Sequence, residues 1–596
     1  MTRSLGQWIL GLDGGETPER GLIGGKAWSV ARMQALGLNV PPAFVITTRA
    51  CNAYLANGRT PAGLDEEIDA AIAWLEKRTE RRFGASPRAL LVSVRSGAPI
   101  SMPGMMDTVL NLGITDATET ALARESGDAA FARNTHRRFL DLYAHIVLRA
   151  DPPALDDAAD PAAWRQAIAE AAGAEVPTEP REQLQRAVLA VFDSWNSRRA
   201  RRYRQHHGIA DDLGTAVAVQ AMVFGNLDAL SGTGVLFSRN PSSGAREPFG
   251  EYLARAQGED VVSGKFTPRP LSQLQADLPQ AHADLLAAAR KLELAGREVQ
   301  DIEFTIERGR LYLLQSRAAK LAPHAAARIA VDLVREGLIG EAEALRRVTP
   351  DQVRILLSPH IDEAALAGAR ELASGEGASP GVGIGIVVTD SDEAERRARG
   401  GEAVILARPT TSPDDLHGMI ASRAVVTEQG GSTSHAAVVG RALGLPCVVG
   451  CGKGALDALT GALVTVDGRS GKVYAGALAI ATPDESDHAA LSTLAAWAAP
   501  RSPLRVVSPT APEARDAVDL TQDDAAADPI TIGAALAARA GAKGARGGAI
   551  ASEEGVRAAL AAGLEFIVAD PVLPSLLAAV RAAGETAPAS DRMERI

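Results

Sequence analysis

Cysteine is scarce in this 596-residue chain, with three in all, at Cys51, Cys447 and Cys451. So few exclude a disulfide framework and fit a reducing cytoplasm. Cys447 and Cys451 lack the two further ligands a zinc site would need, so the expected reading is small buried side chains. Long apolar runs are also missing: none reaches the roughly 18 residues that span a bilayer. The opening MTRSLGQWILGLDGG has no apolar core followed by a cleavage site, so a soluble cytoplasmic protein is expected. Positive charge is not in excess either. A net charge of −11 and a pI near 5.6 oppose nonspecific binding to nucleic acid or anionic membrane, while leaving room for a local basic pocket. What is present, 46% hydrophobic and 23% charged residues, is ordinary for a globular protein, and the length calls for three or four domains.

Along the chain, GLIGGKAWSVARMQALGL reads as a glycine turn followed by an amphipathic helix, and VPPAFVITTRA and LLVSVRSGA as strands. Residues from 116 to about 210 show helical spacing, as in FARNTHRRFLDLYAHIVLRA. Strands return over 214–320, ending in the hairpin QDIEFTIERGRLYLLQSR; residues 321–370 are again helical. ELASGEGASPGVGIG (371–385) has little to bury and reads as a flexible joint. Short strands then fill 386–476, and an alanine-rich α/β segment follows from 477.

The strongest local signal is TEQGGSTSHAAVVGRALGLPCVVG (427–450). A strand runs into Gly430-Gly431, then hydroxyl residues, then His435 opening a helix. Two glycines allow close backbone approach, the hydroxyls can cap the helix, and a helix N-terminus stabilises anions. A neutral imidazole there is a nucleophile beside a place prepared for a phosphoryl group. In the hairpin, a turn at Arg308-Gly309 sets Glu303 roughly opposite Gln315 and Asp301 near Arg317, with these polar side chains on one face.

GGSTSHAAVVGRALGLPCVVG closely resembles the phosphohistidine motif of the pyruvate, phosphate dikinase family, and VILARPTTSPDDLHGM (404–419) resembles that family's segment upstream of it. So do IGGKAWSVARMQALGLNVPPAFVITTRAC (23–51), LLVSVRSGAPISMPGMMDTVLNLGI (90–114), AVQAMVFGNLDALSGTGVLFSRNPSSG (218–244) and EYLARAQGEDVVSG (251–264). The resemblance runs from about residue 20 to 475. It implies an α/β and α+β multidomain protein: an ATP-grasp nucleotide region over 1–320 with its helical insert, a helical linker (321–370), the joint (371–385) and a swivelling β/β/α phosphohistidine domain (386–476). It makes His435 the phosphoryl carrier, with Arg408 pairing with the phosphate and Arg95 holding the transferring group. Lys26, the loop Ser231, Gly232, Thr233 and Gly234, Arg239, Glu259 and Arg317 would contact nucleotide or phosphate. Glu303 and Gln315 would hold Mg²⁺, and Thr433 would be the target of a regulatory kinase-phosphatase.

After residue 476 the chain has too few residues for the (β/α)₈ barrel in which the family binds phosphoenolpyruvate and pyruvate, which needs roughly 250. LSTLAAWAAPRSPLRVVSPTAPEARDA (491–517) still resembles the lead into that barrel, and GVRAALAAGLEFIVADP (555–571) reads as a helix-strand unit. The expectation is a truncated member whose second half-reaction needs a separate barrel protein. It would convert ATP and phosphate to AMP and pyrophosphate while phosphorylating His435. A phosphotransferase to another small acceptor and a non-catalytic nucleotide-binding regulator are the alternatives.

Overall fold

In a computed structural model the described residues are all but 1–2, 101, 103–107, 157–158, 263–267, 413–414, 432–433, 444, 482, 484, 486–487, 522, 524–525, 527–530, 540 and 586–596. The chain divides into two compact units, Met1–Pro241 with Ala245–Lys320, and Ser242–Gly244 with Leu321–Ile596.

The first unit is built on two antiparallel sheets. In one, the order is Arg3–Ser4, Ile9–Leu12, Ala43–Ile46, Ala216–Ala221, Val92–Gly97, Thr108–Leu112. Its strand Ala43–Ile46 is apolar throughout because both faces are covered. From Ala43–Ile46, Phe44 and Ile46 enter a core with the helices Leu64–Thr79, Ala129–Ile146 and Pro180–Ser194. Ala43 and Val45 enter a second core with the helices Arg20–Ala35 and Pro279–Gly296. Alternation along a strand divides the residues between the two cores. Five helices run from Asp116 to His207, four of them opened by a capping side chain: Thr115, Asp128, Asp160 and Ser197.

The other sheet has the order Arg269–Pro270, Phe249–Ala254, Gly232–Phe237, Gln300–Glu307, Arg310–Ala318. Its hairpin turns at Arg308 (φ 51°) and Gly309 (φ 77°), the paired positive φ values that suit a two-residue turn. A simple continuation from Glu307↔Arg310 would set Glu303 opposite Leu314. A bulge between Glu303 and Phe304 corrects the register, so that Glu303 faces Gln315 and Asp301 faces Arg317. Ile302, Phe304 and Ile306 point into the core and leave Asp301, Glu303 and Thr305 on the opposite face.

The second unit carries an eight-stranded sheet. The parallel run Val382–Val388, Val404–Arg408, Ala424–Thr427, Cys447–Val449 lies at its centre. Antiparallel Leu463–Asp467, Lys472–Ala475 and Glu371–Ser374 extend one side, and Glu376–Ser379 the other. Val404 and Leu406 pack on one face and Ile405 and Ala407 on the other, so both faces are buried here too.

Residues 371–385, expected as a flexible joint, are strand. Glu371–Ser374 and Glu376–Ser379, separated by Gly375 alone, supply both outermost strands of the sheet. The glycines are there for close approach: a Cβ on Gly375 would stand 2.5 Å from the Val449 carbonyl oxygen, and one on Gly377 2.6 Å from that of Gly468. Glycine that reads as looseness in sequence serves tight backbone crossing in the fold.

The helices Pro323–Arg335, Glu341–Arg347 and Pro350–Leu357 of the expected linker pack against Ala489–Ala498 and Leu573–Glu585. Arg501 pairs with Glu341 at 2.6 Å, and Arg581 donates to the carbonyls of Arg346 and Val348. Beside them lies a four-stranded parallel sheet in the order Arg505–Val507, Phe566–Val568, Gly544–Arg546, Val518–Asp519. Its first strand lies next to its last. Among the described residues no pairing joins it to the strand that follows it in sequence, as successive strands of a barrel fragment would pair.

Candidate active site

In the first unit a cleft of about 410 Å³ opens between the two sheets. One wall is made by Ser93, Arg95, Thr108 and Gln220, the other by Thr233, Gly234, Asp301, Glu303 and Arg317. Strand alternation places Ser93 and Arg95 on the cleft face while Val92 and Val94 fill the core.

Arg95 spans the cleft. Its Nη2 lies 3.2 Å from Gln315 Oε1 and 3.4 Å from Glu303 Oε2. Arg317 Nε pairs with Asp301 Oδ2 at 2.8 Å. Lys26 joins this group because the helix Arg20–Ala35 breaks at Gly24 (φ 73°, ψ 164°), and Gly25 N–H donates to the Ala98 carbonyl at 2.9 Å. Burial, then the charges of Arg95 and Arg317, bring the Lys26 ammonium down to about 8, with Glu303 acting in the opposite sense. Three cations and two carboxylates, Asp301 and Glu303, thus converge, an arrangement suited to a polyanion whose charge is partly carried by a metal. Glu303 and Gln315 offer hard oxygen donors side by side, the type Mg²⁺ takes while sharing phosphates and water. Among the described residues no cluster of three or more His, Cys, Asp or Glu could enclose an ion without such help.

Two sequence expectations meet a different local structure. Ser231, Gly232, Thr233 and Gly234, expected as a phosphate-binding loop, run into a strand. Gly232–Phe237 is a strand paired on both sides, so its N–H groups serve the sheet. Its glycines are required by packing: a Cβ on Gly232 would meet Tyr252 at 2.3 Å, and one on Gly234 the Glu251 carbonyl oxygen at 2.2 Å. Ser231 Oγ donates to Asp228 and Thr233 Oγ1 to the Phe304 carbonyl. Thr233 and Gly234 still form cleft wall. Arg239, expected as a phosphate contact, is turned into the core. Its side chain is 2% exposed and is held by Glu293 at 2.8 Å, while Ser238 Oγ donates to the same carboxylate at 2.6 Å. Gln257 and Gly258 reach the cleft; the Glu259 side chain lies outside the described residues.

In the second unit His435 opens the helix His435–Leu443, and Ser434 Oγ accepts from the Ala437 N–H at 3.4 Å. Gly430, at φ 111°, precedes it where a Cβ would meet Ser434 Cβ at 2.9 Å. His435 Nδ1 lies 3.1 Å from Thr411 Oγ1. Arg408 ends a parallel strand opposite Thr427. Its Nη1 donates to the Thr389 carbonyl at 2.7 Å, and its Nε lies 3.2 Å from Asp415 Oδ1. Burial raises the Asp415 carboxyl, but hydrogen bonds from Ser391 and Ser412 and the charge of Arg408 outweigh it, holding the group below its ordinary value. Sequence reasoning missed Thr411 and Asp415, whose partners are 24 and 7 residues away and share no periodic pattern. Thr433 lies outside the described residues.

Such a site defines a nucleotide-binding unit joined in one chain to a helix-borne histidine. The family described as "Pyruvate phosphate dikinase, AMP/ATP-binding domain" matches residues 20–76 and 58–279, and "PEP-utilising enzyme, mobile domain" matches 400–471. A pyruvate, phosphate dikinase of Rhizobium meliloti (strain 1021) is 43% identical over 519 residues, 79% of this chain and 58% of the relative. That of Clostridium symbiosum is 41% identical over 530 residues, 83% of this chain and 60% of the relative. Pyruvate, phosphate dikinase 2 of Oryza sativa subsp. japonica is 41% identical over 505 residues, covering 79% and 57%. The chain belongs to the pyruvate, phosphate dikinase family. It spans about three fifths of the length of these relatives; other relatives are named chloroplastic. Among the described residues no helix is long and apolar enough to cross a membrane.

Proposed function

We propose that the chain performs ATP-dependent phosphotransfer of the dikinase type, with the first unit as an ATP-grasp domain and the 386–476 region as a swivelling carrier of phospho-His435. The convergence of Arg95, Arg317 and Glu303 on one cleft, with Lys26 within reach of their charges, carries this reading. The polyphosphate chain lies against the three cations, with the metal held by Glu303 and Gln315. Bound there, Mg²⁺ would neutralise charge on the phosphate oxygens. The His435 imidazole forms an N–P bond to the β-phosphorus as the P–O bond to AMP breaks. Inorganic phosphate then takes the terminal phosphoryl group as pyrophosphate, leaving one phosphoryl on the histidine. The cationic cluster stabilises charge on the transferring group without moving during the reaction. Arg408 receives the phosphorylated imidazole. Regulation at Thr433 and delivery of the phosphoryl group to a phosphoenolpyruvate-forming barrel remain part of this proposal by family likeness alone.

The test is labelling with ATP radiolabelled at the β-phosphate, with and without inorganic phosphate. Acid-labile, base-stable label on the protein, absent from His435→Ala, is the expected result. An unlabelled protein that still binds ATP with Mg²⁺ would leave nucleotide binding without transfer as the function.

A further inference from the structure

We propose that Glu307 is a positioning residue for ATP: its side chain pins the crossing segment 222–225, so that the hairpin whose open end faces the phosphates also sets, near its turn, the wall that meets the base. This rests on ATP binding in the cleft between the two sheets.

Residues 222–231 cross from the end of Ala216–Ala221 in one sheet to the start of Gly232–Phe237 in the other. Met222, Val223 and Gly225 form part of the cleft wall. The crossing begins as a continuation of its strand. The Ala221 N–H donates to the Pro42 carbonyl and the Met222 N–H to the Leu91 carbonyl, both at 2.9 Å, so successive residues turn to opposite neighbours. Val223 comes next. Among the described residues neither its N–H nor its carbonyl has a hydrogen-bond partner. The chain is then caught again, with the Phe224 N–H donating to Glu307 Oε2 at 2.7 Å. Phe224 is 9% exposed and packs edge-to-face on Phe131, with ring centroids 5.4 Å apart. A Cβ on Gly225 would stand 2.4 Å from the Ala256 carbonyl oxygen, so the backbone is closely packed there too.

Glu307 is the last residue of its strand, and the turn after it grips the far end of the crossing. The Arg308 N–H donates to Ser231 Oγ at 3.0 Å and the Gly309 N–H to the Leu230 carbonyl at 2.8 Å. The other end of the same hairpin carries Asp301, Glu303, Gln315 and Arg317. At the rise of a strand, Glu303 and Glu307 are roughly 13 Å apart, a span on the scale of an extended nucleoside triphosphate. One rigid hairpin therefore reaches both ends of the ligand.

The Val223 peptide groups supply the chemistry at the base end. Adenine presents a ring-nitrogen acceptor beside an amino donor, and a free peptide N–H and carbonyl can pair with such an edge. Held by Met222 on one side and Phe224 on the other, those groups need no ordering when the base arrives. Burial pushes the Glu307 carboxyl up, against the Phe224 N–H and the charges of Arg81 and Arg308, while Glu125 adds to the rise. Glutamine in its place keeps an acceptor for Phe224 without the buried charge.

The experiment is calorimetric titration of the full-length protein, in Mg²⁺, by ATP and by inorganic tripolyphosphate, which has the phosphates without the base. The wild type is expected to bind ATP the more tightly. Glu307→Ala is expected to lose on the order of tenfold in ATP affinity with tripolyphosphate affinity unchanged, and Glu307→Gln to stay within about threefold of the wild type for both. The tripolyphosphate arm also reports that the variant is folded. Equal weakening of both ligands in Glu307→Ala, or weakening of neither, would overturn the positioning role, as would a glutamine variant no better than the alanine one. A wild type that binds tripolyphosphate as tightly as ATP would remove the base end of the site and leave its phosphate end standing. A wild type that binds neither would remove the nucleotide reading itself, and this role with it.

Discussion

Gly24 lies against Gly97: a Cβ built on Gly24 would stand 1.8 Å from the Gly97 carbonyl oxygen, at a φ of 73°. This contact joins two segments that are far apart in sequence, the turn before Lys26 and the strand end after Arg95. Gly24→Ala combines a left-handed backbone with a steric clash, so it is expected to cost about 2–4 kcal/mol. Thermal unfolding should show the loss, and calorimetric ATP titration should show weakened binding in the protein that remains folded. Gly21→Ala, which meets nothing within 4 Å, is the control.

Lys26 titrates near 8 in the free protein because burial and two guanidinium groups disfavour its charge. Its ordinary value is 10.5, so between these limits the unfolded chain holds more protons. Taken alone, this group makes the first unit more stable as pH rises from about 8 toward 10.5. A bound polyphosphate reverses the balance and favours the ammonium. At pH 8.5 the binding of ATP with Mg²⁺ should take up protons, read by calorimetry in two buffers of different ionisation enthalpy. Lys26→Arg, which cannot lose its proton, should abolish that uptake while keeping measurable affinity.

The buried Arg239–Glu293 pair predicts a loss of stability without a specific loss of nucleotide binding. Glu293→Ala removes the carboxylate from a buried guanidinium and should cost about 3–5 kcal/mol. Replacing both partners, Arg239→Met with Glu293→Leu, should recover most of that. A double variant that is stable yet fails to bind ATP would return Arg239 to the phosphate site.

How much of this was legible in the sequence depended on whether the signal was local. Residues 300–317 could be read because the turn residues and the strand alternation lie within one hairpin, needing only the bulge at Glu303 to complete the register. Arg239 could not, because the carboxylate that captures it comes from a helix 54 residues further on. Residues 371–385 misled because glycine has the same composition whether it gives freedom or permits contact. The helices 323–357 read as a linker because their partners, 489–498 and 573–585, lie more than 100 residues away. Thr411 and His435 are 24 residues apart and meet only once the two parallel strands that precede them are paired.

Glu303 faces Arg95 at 3.4 Å and is the carboxylate that raises Lys26 against the two arginines. Glu303→Gln keeps the shape and removes one negative charge, so its effects have opposite signs on two ligands. Metal-free ATP, which meets the three cations directly, should bind as well or better. ATP with Mn²⁺ should bind roughly tenfold more weakly, since a charged ligand to the ion is replaced by a neutral one. Lys26, deprived of its counter-charge, should titrate below about 8, moving the proton uptake on ATP binding to lower pH. Electron paramagnetic resonance of bound Mn²⁺ reads the first effect and two-buffer calorimetry the second. Equal weakening of both nucleotide forms, with Lys26 unmoved, would mean that Glu303 supports the hairpin rather than the metal.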